Sequence, residues 1–136
     1  MTTPAPRIFR IIVPVLDLEQ GVRFYADLLG APGQRVSPGR HYIDCGGVIL
    51  ALYHAGLDGD EGPFRPLPDH VYFACAELET FHARATALGC LRTDDVHGAA
   101  SGAIAKRPWG ERLFYAQDPF GTRLCFVDDT TLFTGR

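Results

Sequence analysis

The sequence predicts an α+β fold made of two copies of one unit, and three observations predict it. Strand-like and helix-like periodicities alternate along the chain. A single shift of the sequence on itself sets Arg10 on His70, Asp17 on Glu77 and Leu18 on Leu78, the mark of an internal repeat. Near the end, two runs rich in aromatic and β-favouring residues flank Asp118-Pro119-Phe120-Gly121. Pro119 pre-sets φ for a turn there and Gly121 tolerates positive φ, so the segment reads as a hairpin.

Taken in order, Arg7 to Val15 is an apolar, β-branched run and reads as a strand. Asp17 then opens a helix. Leu18, Val22, Tyr25 and Leu29 recur at helical spacing, Asp17 with Gln20 resembles a capping box, and Gly30 stands where a helix stops. His41 to Cys45 and Val48 to Tyr53 are strand-like and joined through Gly46-Gly47, a natural hairpin turn. The Pro- and Gly-rich stretch that follows reads as a linker over about 55–68. It divides a single domain spanning 1–136 into a first module of about 7–54 and a second of about 69–128.

The second module repeats the order. His70 to Cys75 is a strand, and Leu78, Phe81, Ala85 and Leu88 form a helix face before Gly89. The segment His97 to Gly102 is small and glycine-rich but follows no phosphate-cradling order, so it reads as a flexible loop. Ala103 to Lys106 is a short strand before the final hairpin. Alternation along the last arm turns Leu124 and Phe126 to the core, and Arg123, Cys125 and Val127 to the other face.

Composition narrows the function classes. A chain of 136 residues, 46% hydrophobic and 21% charged, can bury one real core without staples. A net charge of -3 gives no field that would draw nucleic acid or an anionic membrane. Met1 to Arg7 lacks an apolar signal core, and no run approaches the roughly 20 apolar residues of a membrane span, so a cytoplasmic protein is expected. Cys45, Cys75, Cys90 and Cys125 show no CxxC spacing and are expected to be free thiols. No serine or cysteine sits in a nucleophile motif such as G-x-S-x-G.

Val15-Leu16-Asp17-Leu18, Phe24-Tyr25, Leu28-Leu29-Gly30, Pro108-Trp109-Gly110 and Asp118-Pro119-Phe120-Gly121 together resemble the vicinal oxygen chelate superfamily. That group includes glyoxalase I, extradiol dioxygenases and bleomycin resistance proteins. The resemblance runs from about Arg7 to Asp128. It implies two βαβββ modules whose curved mixed sheets form a cup around a small-molecule ligand, with subunits paired as homodimers. Fold does not by itself give function.

Metal enzymes of that superfamily place ligands on the first and last strand of each module. The resemblance puts Arg10, Ala51, His70 and Cys125 at those four positions, and only His70 matches the pattern. A guanidinium cannot ligate a metal and alanine has no donor. Catalytic zinc usually takes three protein ligands, and non-haem iron takes two histidines and a carboxylate. No cofactor is therefore expected. A divalent metal is disfavoured, with His70 and Cys125 its remaining candidates. His41, Asp44 and His54 fit no ligand register, and His82 is expected on the outward face of its helix.

The cup-lining set is then Arg10, Ala51, Tyr53, His70, Tyr72, Trp109 and Cys125. Arg10 in a cup needs a ligand carboxylate or phosphate, an internal partner such as Glu111, or open solvation. His70 is read as a hydrogen-bonded polar residue or a metal ligand, and Cys125 as a small buried hydrophobe. Tyr53 and Tyr72 line the cavity or belong to the core, and Trp109 lids it or pins a surface loop. Two functions follow. One is a metal-independent binding or resistance protein, similar to the bleomycin resistance branch, whose positive Arg10 favours an aromatic or anionic ligand over a cationic drug. The other is a lyase, isomerase or dioxygenase with an unconventional metal site.

Overall fold

Each module runs strand, helix and three strands. In the computed structural model, which describes residues 2–93 and 102–135, the first consists of β1 (Arg10–Pro14), α1 (Leu18–Leu29), β2 (Gln34–Ser37), β3 (Arg40–Cys45) and β4 (Val48–Tyr53). The second consists of β5 (Val71–Cys75), α2 (Leu78–Leu88), β6 (Ala105–Lys106), β7 (Arg112–Gln117) and β8 (Arg123–Asp128). The fold is α+β, with two mixed sheets ordered β1-β4-β3-β2 and β5-β8-β7-β6.

Local chemistry sets the boundaries. The Asp17 side chain accepts from the Gln20 N–H at 3.0 Å and starts α1, and Gly30 ends it in the left-handed region at φ 73°. Gly46 and Gly47 take φ of 69° and 98° in the β3–β4 turn, a conformation that suits a tight hairpin. The final hairpin has the expected register, with Gln117 opposite Arg123 and Tyr115 opposite Cys125. The linker is less open than a Pro- and Gly-rich stretch suggests. Ala55–Asp58 forms a 3-10 turn, and Asp58 accepts from the Ser37 hydroxyl and the Gly39 N–H, tying it to the first module.

The repeat is visible in strand pairing as well as in element order. In the parallel pairs, Ile12 lies opposite Ala51 and Tyr72 opposite Cys125. The shift that sets Arg10 on His70 also sets Ile12 on Tyr72, and each of the two is paired in parallel with the last strand of its own module. In both sheets the helix-covered face supplies Val13, Leu50 and Leu52, or Val71, Leu124 and Phe126, to one shared core. Helices α1 and α2 touch within that core. The opposite faces therefore look outward on opposite sides of the chain.

Candidate functional site

Strand register assigns each candidate side chain to a face. Ile11 and Val13 reach the core, so Arg10, Ile12 and Pro14 project from the other face of the first sheet. Ala51 shares that face through its pairing with Ile12 and Tyr42, and Tyr53 through its pairing with Pro14 and Arg40. On the second sheet, Leu113, Tyr115, Cys125 and Val127 form a small buried cluster separate from the main core. Tyr72, which pairs with Cys125, lies on the same face and is 62% exposed.

The structure thus gathers His70, Tyr72, Trp109 and Cys125 around one sheet and Arg10, Ala51 and Tyr53 on the other. Within one chain the two groups do not share a cavity, because the shared core lies between them. Arg10 is exposed and donates to the Tyr42 hydroxyl at 3.2 Å, with its guanidinium over the Phe9 and Tyr42 rings. Glu111 is not its partner. One Glu111 oxygen accepts from Trp109 Nε1 at 2.7 Å and the other from the Phe133 N–H at 3.0 Å, on the opposite side of the molecule. Tyr53 donates to Asp60 and lies under the Arg40 guanidinium, at the linker end of its sheet.

His70 sits just before β5. Its side chain is 9% exposed, its Nδ1 lies 3.2 Å from Asp69 Oδ1, and its ring packs 5.2 Å from that of Tyr115 and 6.0 Å from that of Tyr72. Its Nε2 is buried without a hydrogen-bond partner. The His70 backbone N–H, then its ring, holds the Asp69 carboxyl below its ordinary range. Burial, reinforced by the charge of Glu111, pushes the Cys125 thiol up to about 12. Burial also raises the phenols of Tyr72 and Tyr115, and Arg107 partly opposes this at Tyr115.

The four strand positions do not fit a metal. Arg10 and Ala51 offer no lone pair to a cation, which leaves His70 and the buried Cys125 thiol, two donors where a catalytic metal takes three. Among the described residues no three His, Cys, Asp or Glu side chains converge as a ligand set. His41 turns to the core side with its Nε2 on the Pro32 carbonyl, Asp44 accepts from Gly47 N in the hairpin, and His54 caps the 3-10 turn. His82 does not face outward. It is half-buried, packed edge-on against Phe114 at 5.0 Å, with Nε2 on the Gly102 carbonyl. The glycine-rich segment, apart from Gly102, lies outside the described residues.

Two residues of the second face escape a reading by motif. Tyr115 was within reach, since the hairpin turn places it opposite Cys125. Arg107 was not, because β6 has two residues and no periodicity to extend. Its N–H donates to the Glu111 carbonyl at 2.7 Å, which continues the β6–β7 pairing and turns its side chain to the face of Leu113 and Tyr115. Trp109, whose ring the Arg107 guanidinium overlies, lines a hollow with Tyr72, Glu111, Val127, Leu132 and Phe133 among others.

Residues 7–126 match the profile of the glyoxalase/bleomycin resistance protein/dioxygenase superfamily. No curated protein matches the chain significantly. Among solved structures, an oxidase named ChaP-H2 is similar at 23% identity and a TM-score of 0.72, over 92% of this chain and 94% of that one. A lactoylglutathione lyase from Agrobacterium tumefaciens is similar at 20% identity and a TM-score of 0.67, over 93% and 96%. A glyoxalase/bleomycin resistance protein/dioxygenase from Nocardioides is similar at 26% identity and a TM-score of 0.67, over 99% and 89%.

Proposed function

Because the chain belongs to the glyoxalase/bleomycin resistance protein/dioxygenase superfamily, we propose that it is a metal-independent binding or resistance protein for a small aromatic or anionic molecule. The observation that carries this reading is the chemistry of the four positions where the superfamily's metal enzymes place ligands, which here hold a guanidinium, a methyl group, a buried thiol and only one histidine. Such a set suits contact with an organic ligand better than Lewis-acid chemistry.

The ligand is held between two copies of the chain. Strands β1 and β5 are edge strands. Ile8, Phe9, Ile12 and Tyr72 leave large apolar surfaces exposed on or beside them. Between these edges lies an apolar cleft of about 570 Å³, lined by Ile11, Leu29, Val48, Val71 and Phe73 among others. A second copy would cover this surface and bring its Arg10 face over the Tyr72 face. Four free cysteines, and the lack among the described residues of any helix long and apolar enough to cross a membrane, are compatible with a reducing cytoplasm.

Metal titration tests the reading. A metal that binds the native state stabilises by about 2.7 kcal/mol at a hundredfold excess over Kd, a visible melting shift. Protein purified without metal is expected to contain none in stoichiometric amount and to gain no melting temperature from zinc, manganese, iron(II) or nickel. A near-stoichiometric metal that disappears in His70→Ala would instead support a metal-dependent lyase, isomerase or dioxygenase, built on the unpartnered His70 Nε2.

A further inference from the structure

Arg107 is the anomalous charge on the second face. The residue is 8% exposed, its guanidinium lies over the Trp109 ring with 5.4 Å to the centroid, and its Nε is buried without a hydrogen-bond partner. None of the ion pairs found among the described residues includes it. A guanidinium stays protonated at any physiological pH, so it cannot escape the cost of leaving water by neutralising itself.

The acids on this face do not supply the missing partner. Glu111 already accepts from Trp109 Nε1 and from the Phe133 N–H, one bond to each oxygen. Asp69 accepts from the His70 backbone and faces the His70 ring. His70 offers a second nitrogen in want of a partner, and both it and Arg107 neighbour Tyr115. With Nδ1 turned to Asp69, Nε2 is the ring nitrogen left to meet a ligand. The exposed side chains around them are aromatic, Tyr72, Trp109 and Phe133, with the buried Tyr115 ring beneath.

We infer that Arg107 is the anchor for the carboxylate of an aromatic acid, whose ring lies against Trp109 and Tyr72 while His70 Nε2 meets a polar group of the ligand. Planar bidentate pairing suits guanidinium and carboxylate, and an aromatic ring gains contact with both side chains. Trp109, 40% exposed above the buried cation, is the side chain that must shift to admit the acid. The inference rests on the small-molecule reading above and names the chemistry of its ligand.

Calorimetry with 2-naphthoate and its neutral isostere 2-naphthamide tests it. The acid is expected to bind at least tenfold more tightly than the amide and to quench the single tryptophan. Arg107→Gln is expected to abolish that preference. Should Arg107→Gln fail to melt cooperatively, Arg107→Lys serves, since it keeps the charge but loses the planar fork and should cut the preference several-fold. Equal binding of acid and amide, or a preference that survives both substitutions, overturns the Arg107 assignment and leaves the binder reading standing. Binding of neither probe overturns both.

Discussion

Cys125 shows how one side chain bears on function through its surroundings. At a folded pKa of about 12, only about one thiol in ten thousand is ionised at pH 8. In that protonated form it is a poor nucleophile. Thiol labelling of the native protein at pH 8 should therefore leave Cys125 unmodified, and denaturant should expose it. The same shift has a consequence for stability. Since folding raises the pKa from 9.0 to about 12, the contribution is full below pH 9 and is lost as the pH climbs through that window, where the unfolded chain ionises first. The loss approaches about 1.4 kcal/mol per pH unit for one thiol. Cys75 and Cys90, each raised to about 11, add in the same direction. Urea midpoints measured from pH 8 to 11 should fall more steeply in the wild type than in Cys125→Ala, whatever the variant loses at pH 8. Parallel curves would show that the thiol titrates alike in both states.

The element that ties the modules together is the β7–β8 turn. Asp118 is 3% exposed, and its Oδ1 accepts from the N–H groups of Phe120 at 2.8 Å and Thr122 at 3.0 Å. Its Oδ2 accepts from the Tyr25 hydroxyl at 2.6 Å, reaching from the second module into α1 of the first. Burial raises both the phenol and the carboxyl, the latter against the pull of these donors. Tyr25→Phe leaves a buried carboxylate oxygen unpaired and should cost about 2 kcal/mol, while Asp118→Ala strands three donors and should cost about 3–5 kcal/mol. Urea unfolding reads both, and a loss under about 0.5 kcal/mol for Tyr25→Phe would remove the hydrogen bond from the account. This turn was legible as a turn because Asp-Pro-Phe-Gly sits between alternating arms, but its link to Tyr25 was not, since nothing local connects positions so far apart. The helices and long hairpins were legible from periodicity and caps. Strand β2 was not, because Gln34, Arg35 and Val36 are all exposed and leave no alternation to follow. His82 lies inward for a related reason: Phe114, which its ring meets edge-on, comes from a strand the helix pattern does not reveal.

At the scale of the whole molecule, the puzzle is that the candidate residues occupy two faces turned away from each other. Arg10, Ala51 and Tyr53 belong to one sheet, and His70, Tyr72, Trp109 and Cys125 to the other, with one core between them. No rotation of side chains joins them. They can line one cavity only if the first face of one copy meets the second face of another, and a two-fold arrangement then makes two such cavities. Ile12, 42% exposed and central to the first face, would lie inside that contact. Light scattering should report a dimer at micromolar concentration, and Ile12→Glu should yield a monomer that still melts cooperatively. A monomeric wild type would sink the arrangement. Mixing tests the sharing of residues directly. Arg10→Ala and Trp109→Ala homodimers each carry a defect in both cavities, whereas a mixed dimer carries both defects in one cavity and none in the other. After equal mixing and subunit exchange, about a quarter of the cavities should regain wild-type affinity for 2-naphthoate. If mixing restores nothing while dimers exchange, each cavity is built from a single chain and the outward-facing halves serve separate ends.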